Sequence, residues 1–280
     1  MMISSPVIVL SGAGGGAPDL APFRAGFPEA TQFSILVYPG WRRYVEIGFS
    51  LHTLIDDLIR QIEILVPEGP IRIIGISIGA HFGYAVAVQL QAAGRDISGF
   101  CAVDAFMVSS AAPTTGWLGR ALKLGSRLVR ERRIFDFAKF VRSRLWRAML
   151  RLSQEHLVGI LRRAKQSGRL HQIFAVDPVF EHELSMRFLI RLAAPGIAAL
   201  DREPIALNTS AVLLRTDLMA HSDDSWQRRC PQLKIVQIPG NHETMLEPQN
   251  FPAFSDAFSE AARDWRSESQ KSAQNRLPPW

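Results

Sequence analysis

Cysteine is scarce: the 280-residue chain has only Cys101 and Cys230. One sits in an apolar run and the other in a polar turn, which builds neither a disulfide framework nor a metal-ligand spacing. No apolar stretch approaches a membrane span, and the run Val7–Leu10 is too short for the core of a secretory signal. A cytoplasmic protein is therefore expected. The glycine-rich stretch Ser11-Gly12-Ala13-Gly14-Gly15-Gly16 lacks the Lys-Ser/Thr of a phosphate-binding P-loop and the spacing of a dinucleotide fingerprint. No nucleic-acid motif occurs either, and no cofactor or metal is expected. Hydrophobic residues make up 47% of the chain, enough for one large domain with an insertion.

The most informative stretch is 71–90, IRIIGISIGAHFGYAVAVQL. β-Branched residues lead into Gly75-Ile76-Ser77-Ile78-Gly79, and small or apolar residues then continue at helical spacing. A strand, a tight turn and a helix are predicted. A serine at such a turn takes a strained backbone conformation that small neighbours permit, and its hydroxyl is lifted off the sheet edge as a candidate nucleophile. The Ile78 N–H, at the helix N-terminus, is a candidate oxyanion donor. Pro6–Leu10 reads as a buried parallel strand running into the glycine stretch, whose backbone could supply the second donor. Ala13 is the first candidate and Gly14 the next, while an ordinary strand-to-helix turn is the competing reading.

Further strands are predicted at Phe33–Tyr38, Ile97–Val103, Ser210–Arg215 and Leu233–Ile238, with helices over Leu51–Val66 and Phe251–Ala262. Their alternation implies a mostly parallel central sheet with helices on both faces, and such sheets bind ligands beyond the carboxyl ends of their strands. Ser77, the glycine stretch, Asp104, Asp217 and His242 all fall at those ends. His242, on the loop Pro239-Gly240-Asn241-His242-Glu243, is the candidate base; Asp104 and Asp217 are both candidates for the acid that orients it. His81, one helical turn past Ser77, is expected to pack rather than react. Arg42 and Arg43 read as solvated loop residues.

Between residues 113 and 204 strand-like runs give way to amphipathic helices. From Trp117 to Leu170 there are fifteen Lys or Arg against three acids, a net +12, whereas the whole chain carries +6. The remainder is therefore −6. An excess of one sign on this scale points to an acidic partner, with Arg142, Arg144 and Arg147 as candidate docking residues; an anionic membrane surface is the competing reading. Residues 265–280 read as a disordered polar tail.

The order Ser77, acid, His242 is that of the α/β-hydrolases. Gly75-Ile-Ser-Ile-Gly-Ala, the run ending Gln89-Leu-Gln-Ala-Ala-Gly94, Ala102-Val-Asp104 and Ile238-Pro-Gly-Asn-His-Glu-Thr-Met-Leu246 together resemble the thioesterase domains of nonribosomal peptide synthetases and polyketide synthases. The resemblance covers roughly 5–110 and 205–262 and departs at Ala80, where that family usually has glycine. It implies an α/β-hydrolase core over 1–112 and 205–264, a helical lid over 113–204, and Asp104 as the triad acid. It also implies release, by hydrolysis or cyclisation, of an acyl or peptidyl chain from the phosphopantetheine thioester of an acidic carrier protein. Because the chain starts just before its first strand, a free-standing protein is expected. A small-molecule esterase or lipase-like hydrolase is a second reading of the same residues, and a non-catalytic interaction module with a basic lid is a third.

Overall fold

The computed structural model describes residues 6–105, 126, 128–131, 134–152, 156–216, 223–263 and 265. Two compact units divide the chain: Met1–Tyr38, Leu51–Val108 and Ala193–Trp280 form one, and Pro39–Ser50 with Ser109–Leu192 the other.

The first unit is built on β1 (Val7–Leu10), β2 (Phe33–Ile35), β3 (Ile71–Ile76), β4 (Ile97–Val103), β5 (Ala211–Arg215) and β6 (Leu233–Gln237). They form one sheet in the order β2-β1-β3-β4-β5-β6, and every neighbouring pair is parallel. The helices that pack around it are α1 (Ala21–Arg24), α3 (Leu51–Leu65), α4 (Ile78–Ala92), α9 (Asp223–Arg229) and α10 (Phe251–Ala261). This is the α/β architecture expected from the alternation of strands and helices.

β1, β3 and β4 are buried along their whole length, so their side chains must suit two apolar faces. On one face Val7, Val9, Ile74, Ile76, Cys101, Val103, Val212 and Leu214 meet Phe23, Phe254 and Phe258 of α1 and α10. The rings of Phe23 and Phe254 stand edge to face at 5.0 Å. On the other face Gly83 of α4 lies against Leu10, Ile73 and Phe100. Gly94 ends α4 at φ +80°, where its N–H and that of Arg95 donate to the carbonyls of Gln91 and Leu90. β6 is the exposed edge strand, which Lys234 keeps polar.

One boundary differs from expectation. Trp265, placed in the polar tail by the sequence reading, is fully buried against Gly99 in β4, where a Cβ would lie 2.3 Å from the indole. Its carbonyl accepts a bond of 3.2 Å from buried Arg72. A tryptophan at this position belongs to the core, and residues 266–280 lie outside the described residues.

The second unit holds α2 (Trp41–Tyr44), α5 (Ile134–Leu152), α6 (Leu157–Ser167), α7 (Arg169–Phe174) and the first part of α8 (Pro178–Arg202). Pro39–Ser50 joins these helices because Trp41 is buried there, 5.8 Å from the Phe174 ring, with its indole N–H on Glu181. Arg162 donates to the carbonyls of Val45 and Glu46, and Lys165 to that of Arg42. Some of the basic excess therefore holds the unit together. Arg42 and Arg43 pair with Glu181 and Glu46. Among the described residues no helix is long and apolar enough to cross a membrane.

Candidate active site

Every residue from Ile71 to Val88 is buried except Ser77. It sits between β3 and α4 at φ 56°, ψ −124°, a conformation that costs a non-glycine residue about 1–3 kcal/mol. Its neighbours show what sustains that strain. A Cβ on Gly75 would lie 2.3 Å from the Ala80 Cα, and one on Gly79 would lie 2.4 Å from the carbonyl oxygens of Leu10 and Ser11. Only glycine lets the turn close and press on the end of β1. The sequence pattern around Ser77 is therefore a packing requirement as well as a motif.

Gly12 brings the glycine loop alongside, where a Cβ would stand 3.6 Å from the Ser77 Cβ. The loop folds back on itself through the Gly15 N–H, which donates to the Gly12 carbonyl at 2.9 Å. Among the described residues no acceptor takes the N–H of Ile78, Ala13 or Gly14. Ile78 is 4% exposed, and its N–H stands at the N-terminus of α4, beside Ser77.

Asp104 follows β4 as Ser77 follows β3, and it too has positive φ, 45°. Its side chain is wholly buried. Oδ2 meets His242 Nδ1 at 2.8 Å, and Oδ1 accepts from the N–H and the hydroxyl of Thr216 at 2.8 and 2.9 Å. Burial pushes the carboxyl pKa up, but the bonds from His242 and Thr216 outweigh it and hold the group below the usual carboxylate range. An ionised acceptor at this place keeps the proton of a neutral His242 on Nδ1 and leaves the lone pair on Nε2.

The histidine loop is pinned by its own polar residues. The Asn241 carboxamide oxygen accepts from the N–H groups of Glu243 and Thr244, the Thr244 hydroxyl accepts from the Asn241 N–H at 3.0 Å, and the Asn250 amide donates to the Thr244 carbonyl at 2.8 Å. Gly240 turns at φ +84° under that cap. His242 remains 32% exposed while tied to Asp104.

The family model of the thioesterase domain matches residues 5–261. The chain belongs to the thioesterase domain family. It is thus a member of a hydrolase family that acts on thioester bonds, as the resemblance implied. Among solved structures, the covalent complex of the NocB thioesterase domain with a fluorophosphonate nocardicin G analog is similar at a TM-score of 0.55 and 20% identity, covering 92% of this chain and 94% of that one. The Vlm2 thioesterase domain is similar at 0.55 and 16%, covering 92% and 91%. A second Vlm2 structure, bound with a dodecadepsipeptide, gives 0.53 and 16%, covering 93% of each chain. Identities this low carry the fold alone. No curated protein matches the chain.

Within this thioesterase fold, the other sequence candidates fall as follows. His81 is buried, its Nδ1 accepting from Arg229 at 2.8 Å, with its ring 5.3 Å from that of Trp226. Arg229 is wholly buried between Tyr84 and Trp226 and pairs with Asp201 at 2.5 Å. This cluster is a structural knot, and the Trp226 indole within it donates to the Ala105 carbonyl beside Asp104. Asp217 lies outside the described residues. Arg142 is exposed on α5; Arg144 instead stacks over Phe140 at 4.7 Å with its Nε buried, and the side chain of Arg147 is not among those described. Burial pushes the Cys230 thiol up to about 12 and the Cys101 thiol higher still, so neither is a nucleophile. Sequence reasoning missed Thr216 and Arg229. Thr216 carries no local signal beyond its place at the end of β5.

Proposed function

We propose that the protein is a serine thioesterase that takes an acyl or peptidyl chain from the phosphopantetheine thioester of a carrier protein. The observation that carries this reading is the Asp104–His242 hydrogen bond of 2.8 Å at the strand edge where Ser77 is held strained and half-exposed. Nothing in the packing requires a buried carboxylate and a histidine to be bonded at that edge.

In this mechanism Ser77 Oγ attacks the thioester carbonyl while His242 Nε2 takes the hydroxyl proton. Asp104 stabilises the imidazolium without itself taking the proton. The N–H groups of Ile78 and Ala13 receive the oxyanion, where losing one donor typically costs about a hundredfold or more in rate. Collapse breaks the carbon–sulfur bond, and the departing thiolate takes the proton from His242. An acyl-Ser77 ester remains. Water, or a hydroxyl or amine within the chain, then attacks that ester with His242 again as base, giving hydrolysis or cyclisation. No cofactor or metal enters either step.

An acidic acyl or peptidyl carrier would meet the basic helices of the second unit. Incubation with a fluorophosphonate probe tests the central claim: wild type should be labelled at Ser77, and undiminished labelling of Ser77→Ala would overturn the assignment.

A further inference from the structure

The second unit contains an open pocket of about 600 Å³ between α5 and α6, lined by Arg142, Leu145, Trp146, Ile160, Arg163, Ala164 and Ser167. Its chemistry is divided. Leu145, Trp146, Ile160 and Ala164 make an apolar floor, while Arg142 and Arg163 bring two guanidinium groups with no acid among the described lining residues. Leu145 is 65% exposed and lies beside the half-buried Trp146. Arg163 has no partner among the described residues, and Arg142 has only a long contact of 3.4 Å to the neutral amide of Gln172. Several other arginines of this unit are matched: Arg42 and Arg43 pair with glutamates, Arg144 stacks on a ring, and Arg162 caps carbonyls. The volume suits one small organic ligand.

We infer that this pocket binds a single-chain amphiphilic anion, its alkyl part on Leu145, Trp146 and Ile160 and its carboxylate or phosphate head between Arg142 and Arg163. Arginine is suited to the head because its planar fork meets two oxygens at once, and the apolar floor discriminates against inorganic anions, which would leave it wet. The inference does not rest on Ser77 being a nucleophile.

Isothermal titration of the full chain tests it, after Ser77 has been blocked with the fluorophosphonate probe or in Ser77→Ala if the probe does not react. Dodecyl phosphate and dodecanoate, kept below their micelle concentrations, should each bind at one site. Dodecanol and inorganic phosphate should bind at least tenfold more weakly. Arg163→Ser with Arg142→Ser should weaken the anionic ligands tenfold or more, and Leu145→Ser should weaken them while leaving the melting temperature unchanged. Equal binding of dodecanol, affinity unaltered in both variants, or no saturable binding would overturn the proposal. So would binding confined to anionic phospholipid vesicles, since that would mark a membrane-facing surface instead of a pocket for one molecule. If the double-arginine variant loses its fold, Leu145→Ser and the dodecanol comparison still decide.

Discussion

Ser77 and Asp104 are the two described non-glycine residues with positive φ, at 56° and 45°, and each comes one residue after the register pair Ile76–Val103 on adjacent strands. The Ser77 N–H donates to the Val103 carbonyl at 2.8 Å, so the two strained residues share one anchor point. Strain at two neighbouring strand ends persists only where the surrounding structure over-determines it. Here Gly75 and Gly79 do so on one side, and Thr216 with the Ala105–Trp226 bond on the other.

Gly79→Ala should therefore damage fold and activity together. The added methyl meets two backbone carbonyl oxygens at 2.4 Å, and neither can swing away as a side chain could. Overpacking of this kind costs about 1–3 kcal/mol or more. Urea unfolding should show at least that loss, with thioester turnover nearly abolished; an unperturbed midpoint would mean that the elbow can open away from β1.

Asp104→Asn keeps the shape but removes the charge and lets the amide favour the wrong imidazole tautomer. The corresponding change in a well-studied serine protease lowers kcat by about 10⁴. A loss of that order is expected here, with KM for a small acyl thioester little altered, while Asp217→Asn should retain most activity. The reverse outcome would move the acid to Asp217.

The same carboxylate should leave a mark on stability. Its folded pKa is depressed below the unfolded value of about 3.9, so the stabilisation is complete above about pH 5 and is lost as the pH falls through the depressed folded value. Wild type and Asp104→Asn should differ most at neutral pH and converge in strong acid in denaturant titrations. A constant difference across that window would mean that Asp104 is not ionised at neutral pH.

Thr216 acts through Asp104. Its hydroxyl bond of 2.9 Å, together with its N–H, fixes Oδ1 and so aims Oδ2 at His242. A hydrogen bond to a charged group contributes about 1.5–3 kcal/mol. Thr216→Val, isosteric but without the donor, should lower kcat about tenfold and leave KM near wild type. Thr216→Ser should restore most of it, and equal loss in both variants would make the role one of packing.

What the sequence disclosed follows from how local each signal is. The elbow was legible because strand, two glycines, serine and helix lie within twenty residues, and the steric demand that selects those glycines is itself local. Asp104 and His242 are 138 residues apart, and only their positions at strand ends, with the motifs around them, brought them together in the reading. Thr216 was missed because a threonine after a strand has no distinguishing neighbours. The same limit explains Trp265, whose place in the core depends on a gap over Gly99 that no local pattern reveals. It also explains Pro39–Ser50: its two arginines are exposed as read, but that Trp41 anchors the segment among helices has no local sign.

The basic helices carry the last prediction, and the structure separates two arginines that the charge count treats alike. Arg142 is exposed, and its contact with Gln172 neutralises no charge. Arg144 lies over the Phe140 ring at 4.7 Å with its Nε buried, which makes it a packing residue of α5. If an acidic carrier docks on this face, Arg142→Glu removes one attraction and adds one repulsion. Exposed pairs contribute up to about 1 kcal/mol each, so KM for carrier-bound thioester should rise about fivefold or more at low salt and by less as salt screens the field. A small thioester that does not need the docking face should turn over unchanged. Arg144→Glu should instead lower the unfolding midpoint, because a carboxylate would replace a cation that the ring face attracts. Equal KM effects on the two substrates, or a rise in KM that salt does not diminish, would remove electrostatic docking from the account while leaving the chemistry at Ser77 intact.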